Sequence, residues 1–423
     1  MAIRRYIRAL GPALLLSLGG AYALASMDWC DAPSKGPATT KGAASAQGAL
    51  QLGAAKVELT PPLPIVMAGY PPSRPDGKTL AHPLYARATV LQVGSLKVAV
   101  ASVDLLTMPE SVVSKIRQRL EPLKLDEVWI GATHTHSSFG GYDPRIISEI
   151  AGTGTYRDAA ELAVVAGASS AIEEAAKSLR PVTMEAGTGK FPELVDDRSE
   201  GVKPKGDLVH VVFRELANGD AGTGGVAAQW ILFGAHPTNV TRGTTELDAD
   251  FPGFLSRSLE EKGSGPALFL QLAVGNASSV ADGEHLTRAQ NFADRLEKAL
   301  SSVALSPVAE PRLSFSRVEV PLPRVDAKRL VPGFFQRAGG NFLCRSAPAN
   351  ASVEGLQLGP LRMISIPGEV TEGAAEQLEN ASRGYPVSLV NGYVGYVETP
   401  ELVEKKLGES KRQYFDSTLL KKL

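Results

Sequence analysis

Six histidines are spread over the 423 residues, and three of them are placed where they can do chemistry together. Trp129-Ile130-Gly131-Ala132-Thr133-His134-Thr135-His136 is an apolar strand running into His-x-His. In extended chain, residues i and i+2 face the same way, so both imidazoles are expected to point into one site. Trp230-Ile231-Leu232-Phe233-Gly234-Ala235-His236-Pro237 repeats the device, an apolar strand delivering a histidine at its C-terminal end, where ligand crevices of α/β sheets lie. A lone strand-end histidine is more often a hydrogen-bonded structural residue than a ligand. A His-x-His pair joined by a third histidine favours a metal, because zinc takes imidazole nitrogen and carboxylate oxygen and keeps one position open in a catalytic site. Glu369 is a candidate oxygen ligand, coming after the apolar run 362–366 and the Pro367-Gly368 turn, just before a helix. Taken alone it reads equally as a carboxylate favoured by a helix N-terminus. Asn391-Gly392-Tyr393-Val394-Gly395-Tyr396-Val397 is a third strand-to-loop segment, with two tyrosines that packing alone would explain. Other chemistries lack their marks: there is no Gly-x-Ser-x-Gly, HExxH, CxxC or P-loop, and no Gly-x-Gly-x-x-Gly after a strand.

The elements that must position these residues alternate between short Val/Ile/Leu-rich runs and longer amphipathic stretches, the pattern of an α/β protein. Strands are expected at 88–93, 96–103, 127–133, 182–187, 208–214, 227–233, 267–273, 312–320, 358–366 and 387–391. Helices are expected at 109–122, 157–180, 253–261, 286–303 and 371–383. No linker-like composition interrupts 54–423, which predicts one large catalytic domain of mixed β-sheets flanked by helices. Hydrophobic residues make up 43% and charged residues 21%, enough apolar content for a sizeable core. A net charge of −1 without long runs of one sign argues against nucleic acid and for a small or amphipathic substrate; no protein partner is evident.

The N-terminus carries Arg4, Arg5 and Arg8, then a short apolar stretch and Ala23-Leu24-Ala25. This is the layout of a signal peptide over 1–25, so export is expected, with an uncleaved membrane anchor as the alternative. Residues 26–53, rich in Ala, Gly, Ser and Lys, are expected to form a flexible tether. The two cysteines, Cys30 and Cys344, exclude a Cys-rich zinc site and leave room for one disulfide.

Thr133-His134-Thr135-His136-Ser137 followed by Gly140-Gly141-Tyr142 resembles the signature of the neutral and alkaline non-lysosomal ceramidases. Further pieces follow in the family's order: Asp197-Arg198-Ser199, His236-Pro237-Thr238, Gly275-Asn276-Ala277-Ser278, Pro367-Gly368-Glu369 and Tyr393-Val394-Gly395-Tyr396-Val397-Glu398-Thr399. The pieces around His236 and Asp248–Gly253 look most like bacterial relatives. Carried over residue by residue, the resemblance implies zinc held by His134, His236, Glu369 and Tyr396. It also implies an acid/base or orienting role for His136, amide contacts from Arg198 and Tyr414, and a head-group contact from Ser278. The loop Gly275–Asp282 lacks the family's proline, and Ser137-Ser138-Phe139 stands where the family has Ser-Gly-Pro, so the substrate is less constrained than the reaction.

The resemblance implies a zinc-dependent hydrolase of an N-acyl amide in an amphiphile presented at a membrane surface, with ceramide as leading substrate. Two alternatives stay open: the same zinc site acting on an ester or another acyl amide, and a catalytically degenerate member that binds lipid or glycan.

Overall fold

Apolar residues alternate along the strands with a period of two, and the two faces so defined belong to different cores. In β4 (Tyr85–Val93), Ala86, Ala88 and Val90 face one core, while Leu91 and Val93 face another. In β5 (Leu96–Val103) and β6 (Glu127–Ala132) the same division puts Ala99, Ala101, Ile130 and Ala132 on one side and Val98, Val100 and Trp129 on the other.

The computed structural model describes residues 20, 36–59, 61–70, 74–216, 224–326, 339, 341 and 347–423. Its larger sheet has nine strands, ordered β12 (Ala267–Gln271), β10 (Val226–Phe233), β9 (Asp207–Glu215), β7 (Arg180–Lys190), β2 (Leu50–Glu58), β4, β5 and β6, with β14 (Ser306–Val308) also paired to β7. The second sheet runs β1 (Thr39–Gln47), β15 (Arg312–Pro321), β16 (Asn350–Leu358), β17 (Leu361–Ile366) and β19 (Tyr385–Ser388). Phe315, Leu356, Met363 and Val387 of the second sheet share a cluster with Leu91, Trp129, Trp230 and Leu268 of the first, so the sheets stack face to face. Helices α1 (Glu110–Leu120) and α2 (Asp158–Lys177) cover the outer face of the larger sheet. Helices α3 (Asp250–Glu261) and α4 (His285–Ser302) cover its β9, β10 and β12 end, and α5 (Glu372–Ser382) covers the second sheet. The chain is therefore α/β, with mixed sheets flanked by helices in a single domain.

The larger sheet curls until strands from its two ends meet. Ser102 Oγ on β5 donates to the Phe269 carbonyl on β12 at 2.5 Å. At the end of β12 the buried Gln271 amide donates to the Thr133 carbonyl at 2.8 Å and the Ala235 carbonyl at 3.0 Å, and accepts from Ala235 N at 3.2 Å. One side chain thus ties together the ends of the two strands that carry the histidines.

The five expected helices appear as α1 to α5. One strand expectation and the expected tether are corrected. The run 358–366 is a strand only over Leu361–Ile366, which is β17; Leu358 ends β16, and Gly359 and Pro360 make the hairpin turn between them. The expected tether is not one over its described part, because Thr39–Gln47 pairs along β15 and Leu50–Gly53 opens β2 inside the larger sheet. Ala, Gly and Ser hide the alternation there, and β1 is an edge strand whose residues are exposed except for half-buried Gly42 and Ala46. The expected signal segment, Gly20 apart, and both cysteines lie outside the described residues. Among the described residues no helix is long and apolar enough to cross a membrane.

Candidate metal centre

Strand β6 stops at Ala132, and the chain changes direction at His134, whose φ of 70° lies in the left-handed region. A non-glycine residue there costs of order 1–3 kcal/mol and persists only where its surroundings impose it. Here His134 N donates to the Leu105 carbonyl at 2.9 Å and His136 N to the Pro237 carbonyl at 3.2 Å. His134 and His136 do converge, but a turn aims them, not the alternation of an extended strand. Gly69 packs against this turn at φ 109°, and a Cβ there would stand 2.7 Å from His136 Cα.

Each of the three imidazoles is held through Nδ1 by a backbone carbonyl: His134 by Leu106 at 2.8 Å, His136 by Gly69 at 2.8 Å and His236 by Ala277 at 3.2 Å. A carbonyl only accepts, so the ring proton sits on Nδ1 and Nε2 keeps its lone pair. The Nε2 atoms of His134 and His136 lie 3.4 Å apart, and Glu369 Oε2 lies 3.1 Å from Nε2 of both His134 and His236. Burial, with the Arg198 charge adding to it, pushes His236 down to about 3. Burial and the neighbouring His134 and His236 hold His136 well below its ordinary value. Glu369 is held well below the carboxylate range, its hydrogen bonds and charge interaction with the histidines outweighing burial.

Lone pairs converging in a buried site repel one another unless a cation lies between them. A single proton would relieve only one contact, and burial opposes a second. Zinc bonds of about 2.0–2.2 Å in tetrahedral array place ligand atoms roughly 3.3–3.5 Å apart, close to the separations found here. A buried group of His134, His136 and His236 is suited to hold a metal, with its ligand atoms within 4.8 Å of one another. Glu369 and Tyr396 stand at its edge.

The short strands β18 (Glu369–Val370) and β20 (Tyr396–Val397) pair in parallel and set Glu369 beside Tyr396. Tyr396 Oη lies 3.3 Å from His236 Nε2 and accepts from Arg198 Nη2 at 2.6 Å. Burial and the Glu369 carboxylate raise the Tyr396 phenol well above its ordinary value, with Arg198 pulling the other way. Arg198 is fixed by Glu409 Oε1 at 2.9 Å and the Gly275 carbonyl at 3.0 Å. The strands β8 (Val195–Asp197) and β13 (Ala277–Ser279) pair antiparallel and knit the Asp197-Arg198-Ser199 piece to the loop 275–282, while Ser278 bridges to His236. Asn276 closes the join by donating to Asp197 Oδ1 at 2.9 Å. Tyr414 shares a hydrogen bond with Tyr393, whose hydroxyl donates to Glu369 Oε1 at 2.7 Å.

All eight residues singled out in the sequence thus lie in or beside one centre. Tyr393 and Glu409 were missed as supports of Glu369 and Arg198, as was Gln271 beneath the histidines. A Tyr, a Glu and a Gln without a spacing rule give no signal of their own.

Residues 50–201 match the family model described as neutral/alkaline non-lysosomal ceramidase, N-terminal. That stretch holds His134, His136 and Arg198, and the remaining site residues lie beyond it. A neutral ceramidase from Pseudomonas aeruginosa, known from a crystal structure, has the same fold with a TM-score of 0.74 at 18% identity, covering 88% of this chain and 72% of that one. A second structure, described as a ceramidase complexed with C2, matches with a TM-score of 0.74 at 17% identity, covering 88% and 73%. No curated protein sequence matches significantly. The chain is thus similar to the N-terminal part of the neutral/alkaline non-lysosomal ceramidases over residues 50–201, and it shares the fold of a neutral ceramidase over most of its length.

Proposed function

We propose that this chain is a zinc-dependent hydrolase that cleaves an N-acyl amide in an amphiphile, ceramide foremost, after export from the cell. The observation that carries the proposal is the convergence of imidazole Nε2 lone pairs on the Glu369 carboxylate while every Nδ1 is spent on a carbonyl. His134, His236, Glu369 and Tyr396 would hold the ion. A bound zinc ion would lower the pKa of water to near 7 and polarise the acyl carbonyl.

The chain's own residues supply the rest. Arg198, fixed by Glu409, presents a guanidinium at the Tyr396 hydroxyl, where charge grows on the carbonyl oxygen during attack; preorganised donors at that place are usually the largest single contribution to rate. His136 is held by Nδ1 and keeps Nε2 toward the centre, so it can take a proton there and return it to the leaving amine. Tyr414 and Tyr393 steady Glu369 through its second oxygen. Ser278, bridged to His236, faces the head group.

The test is turnover by the purified full-length protein on fluorogenic N-acyl amides and matched esters, with ceramide included. Amide hydrolysis that disappears with a chelator and returns with zinc is expected. Release of fatty acid from none of the panel would overturn the proposal, and faster release from the esters would reassign the reaction. Export rests on Arg4, Arg5, Arg8 and Ala23-Leu24-Ala25; the protein isolated from its cells should begin at Ser26.

A further inference from the structure

The wall beside His136 is built from a tyrosine and two arginines that none of the motifs includes. The Tyr70 ring lies 5.1 Å from the His136 ring, centre to centre. The guanidinium carbons of Arg74 and Arg242 each lie 5.1 Å from the centre of that same Tyr70 ring. Arg74 reaches it from the loop after Tyr70, and Arg242 is exposed on the turn that follows the His236 segment.

Arg74 spends one nitrogen on structure, Nη1 donating to the Ala68 carbonyl at 2.8 Å and to the His136 carbonyl. Its Nε and Nη2 are buried with no acceptor. Burial is what most disfavours its charge, and the groups acting on that charge are Tyr70 and, with like sign, Arg242. The carboxylate acting on Tyr70 is Asp250, whose oxygens already accept from the backbone of Asn239, Val240 and Phe251 and from the Asn239 amide. Cation-to-ring contact offsets part of this cost. It does not supply an acceptor for the two remaining N–H groups of Arg74. An incoming anion gives one, since the planar guanidinium matches carboxylate and phosphate oxygens in paired hydrogen bonds.

We infer that Arg74 and Arg242, set on Tyr70, form a subsite for an anionic oxygen group carried on the amine side of the substrate's amide, which narrows the proposed function: an acidic N-acyl amide displaces neutral ceramide as the foremost substrate. This rests on the hydrolase reading, in which His136 serves the leaving amine and its neighbours therefore face that part of the substrate. Arg242 is the accessible arm, and Arg74 the anchored one.

The test compares N-octanoylglycine, N-octanoyl phosphoethanolamine and neutral N-octanoylethanolamine. Their binding is measured by calorimetry on the full-length His236→Ala protein, and their KM and kcat on the wild type. At least one acidic compound should bind tenfold or more tightly than the neutral one, and which one does so separates carboxylate from phosphate. Adding Arg242→Gln should cut that preference to threefold or less, and in the wild-type background it should raise KM for the acidic compound more than it lowers kcat. Arg74→Lys, which keeps the charge, should retain part of the preference. Equal binding of all three compounds, or a preference untouched by Arg242→Gln because the anion sits on the histidine centre, would overturn the inference. An acidic preference without turnover of any compound would instead leave the subsite standing and remove the hydrolase reading.

Discussion

Strand β6 has a buried polar cluster at each end, and the two are built on opposite principles. At its start Glu127 meets Glu354, and the pair is surrounded by donors. Arg117 Nη2 reaches Glu127 at 2.8 Å and Glu354 at 2.9 Å, Asn391 Nδ2 reaches Glu354 at 2.6 Å, and Ser352 and Ser365 complete the set. Just past the end of β6, the Nε2 atoms of His134, His136 and His236 and the Glu369 carboxylate face one another as acceptors, with every Nδ1 already used. A polar cluster whose acceptors are met by donors, Glu127 Oε2 excepted, holds the fold. One whose lone pairs converge needs a ligand, and this is where function belongs.

Breaking the histidine cluster should therefore cost chemistry and little stability. His134→Ala and His236→Ala are each expected to lower kcat/KM on a responsive acyl amide by about 10³-fold, roughly 4 kcal/mol, with a thermal midpoint close to wild type. A parallel collapse of the fold would show that the histidines are structural.

Breaking the matched cluster should do the reverse. Burial first, then the Glu354 charge, raises Glu127 to about 7 against the pull of Arg117 and Arg317, and its Oε2 is buried without a partner. The folded state thus holds a proton that the unfolded chain, titrating near 4.5, has already released. This contribution is full below pH 4.5 and is lost as pH rises to about 7, roughly 3 kcal/mol across the window. Glu127→Gln mimics the protonated form, so between about pH 5 and pH 7 the wild type should lose stability relative to the variant in denaturant melts. Equal pH slopes would place the proton elsewhere. Turnover should change little in this variant.

The smallest contrast lies within the site. Tyr396→Phe removes a hydroxyl placed between His236 and Arg198 and should cut turnover by at least about tenfold, near 1.4 kcal/mol. Sequence alone makes Tyr393 a packing residue whose loss is mild. Its 2.7 Å hydrogen bond to Glu369 instead predicts a measurable effect for Tyr393→Phe, still below that of Tyr396→Phe. The opposite ranking would exchange the two tyrosines.

What could be read in advance followed from periodicity and from local motifs. The apolar strands into His134 and His236 and the helices 110–120 and 372–382 declared themselves, because burial on one face imposes a repeat on the sequence. The strand Thr39–Gln47 did not, because an exposed edge strand made of Ala, Gly, Ser and Thr buries too little to require alternation. The left-handed turn at His134 was also invisible, since no glycine or asparagine marks it. The partners Gln271, Tyr393 and Glu409, and the Tyr70–Arg74–Arg242 wall, come together only through long-range packing, which no local spacing encodes.

The most direct measurement is the metal content of the purified full-length protein, taken by elemental analysis beside His134→Ala and Glu127→Gln. The account predicts close to one zinc per chain in the wild type and in Glu127→Gln, and little in His134→Ala while that variant remains folded. A folded, fully active wild type without metal, or zinc retained undiminished in His134→Ala, would contradict it.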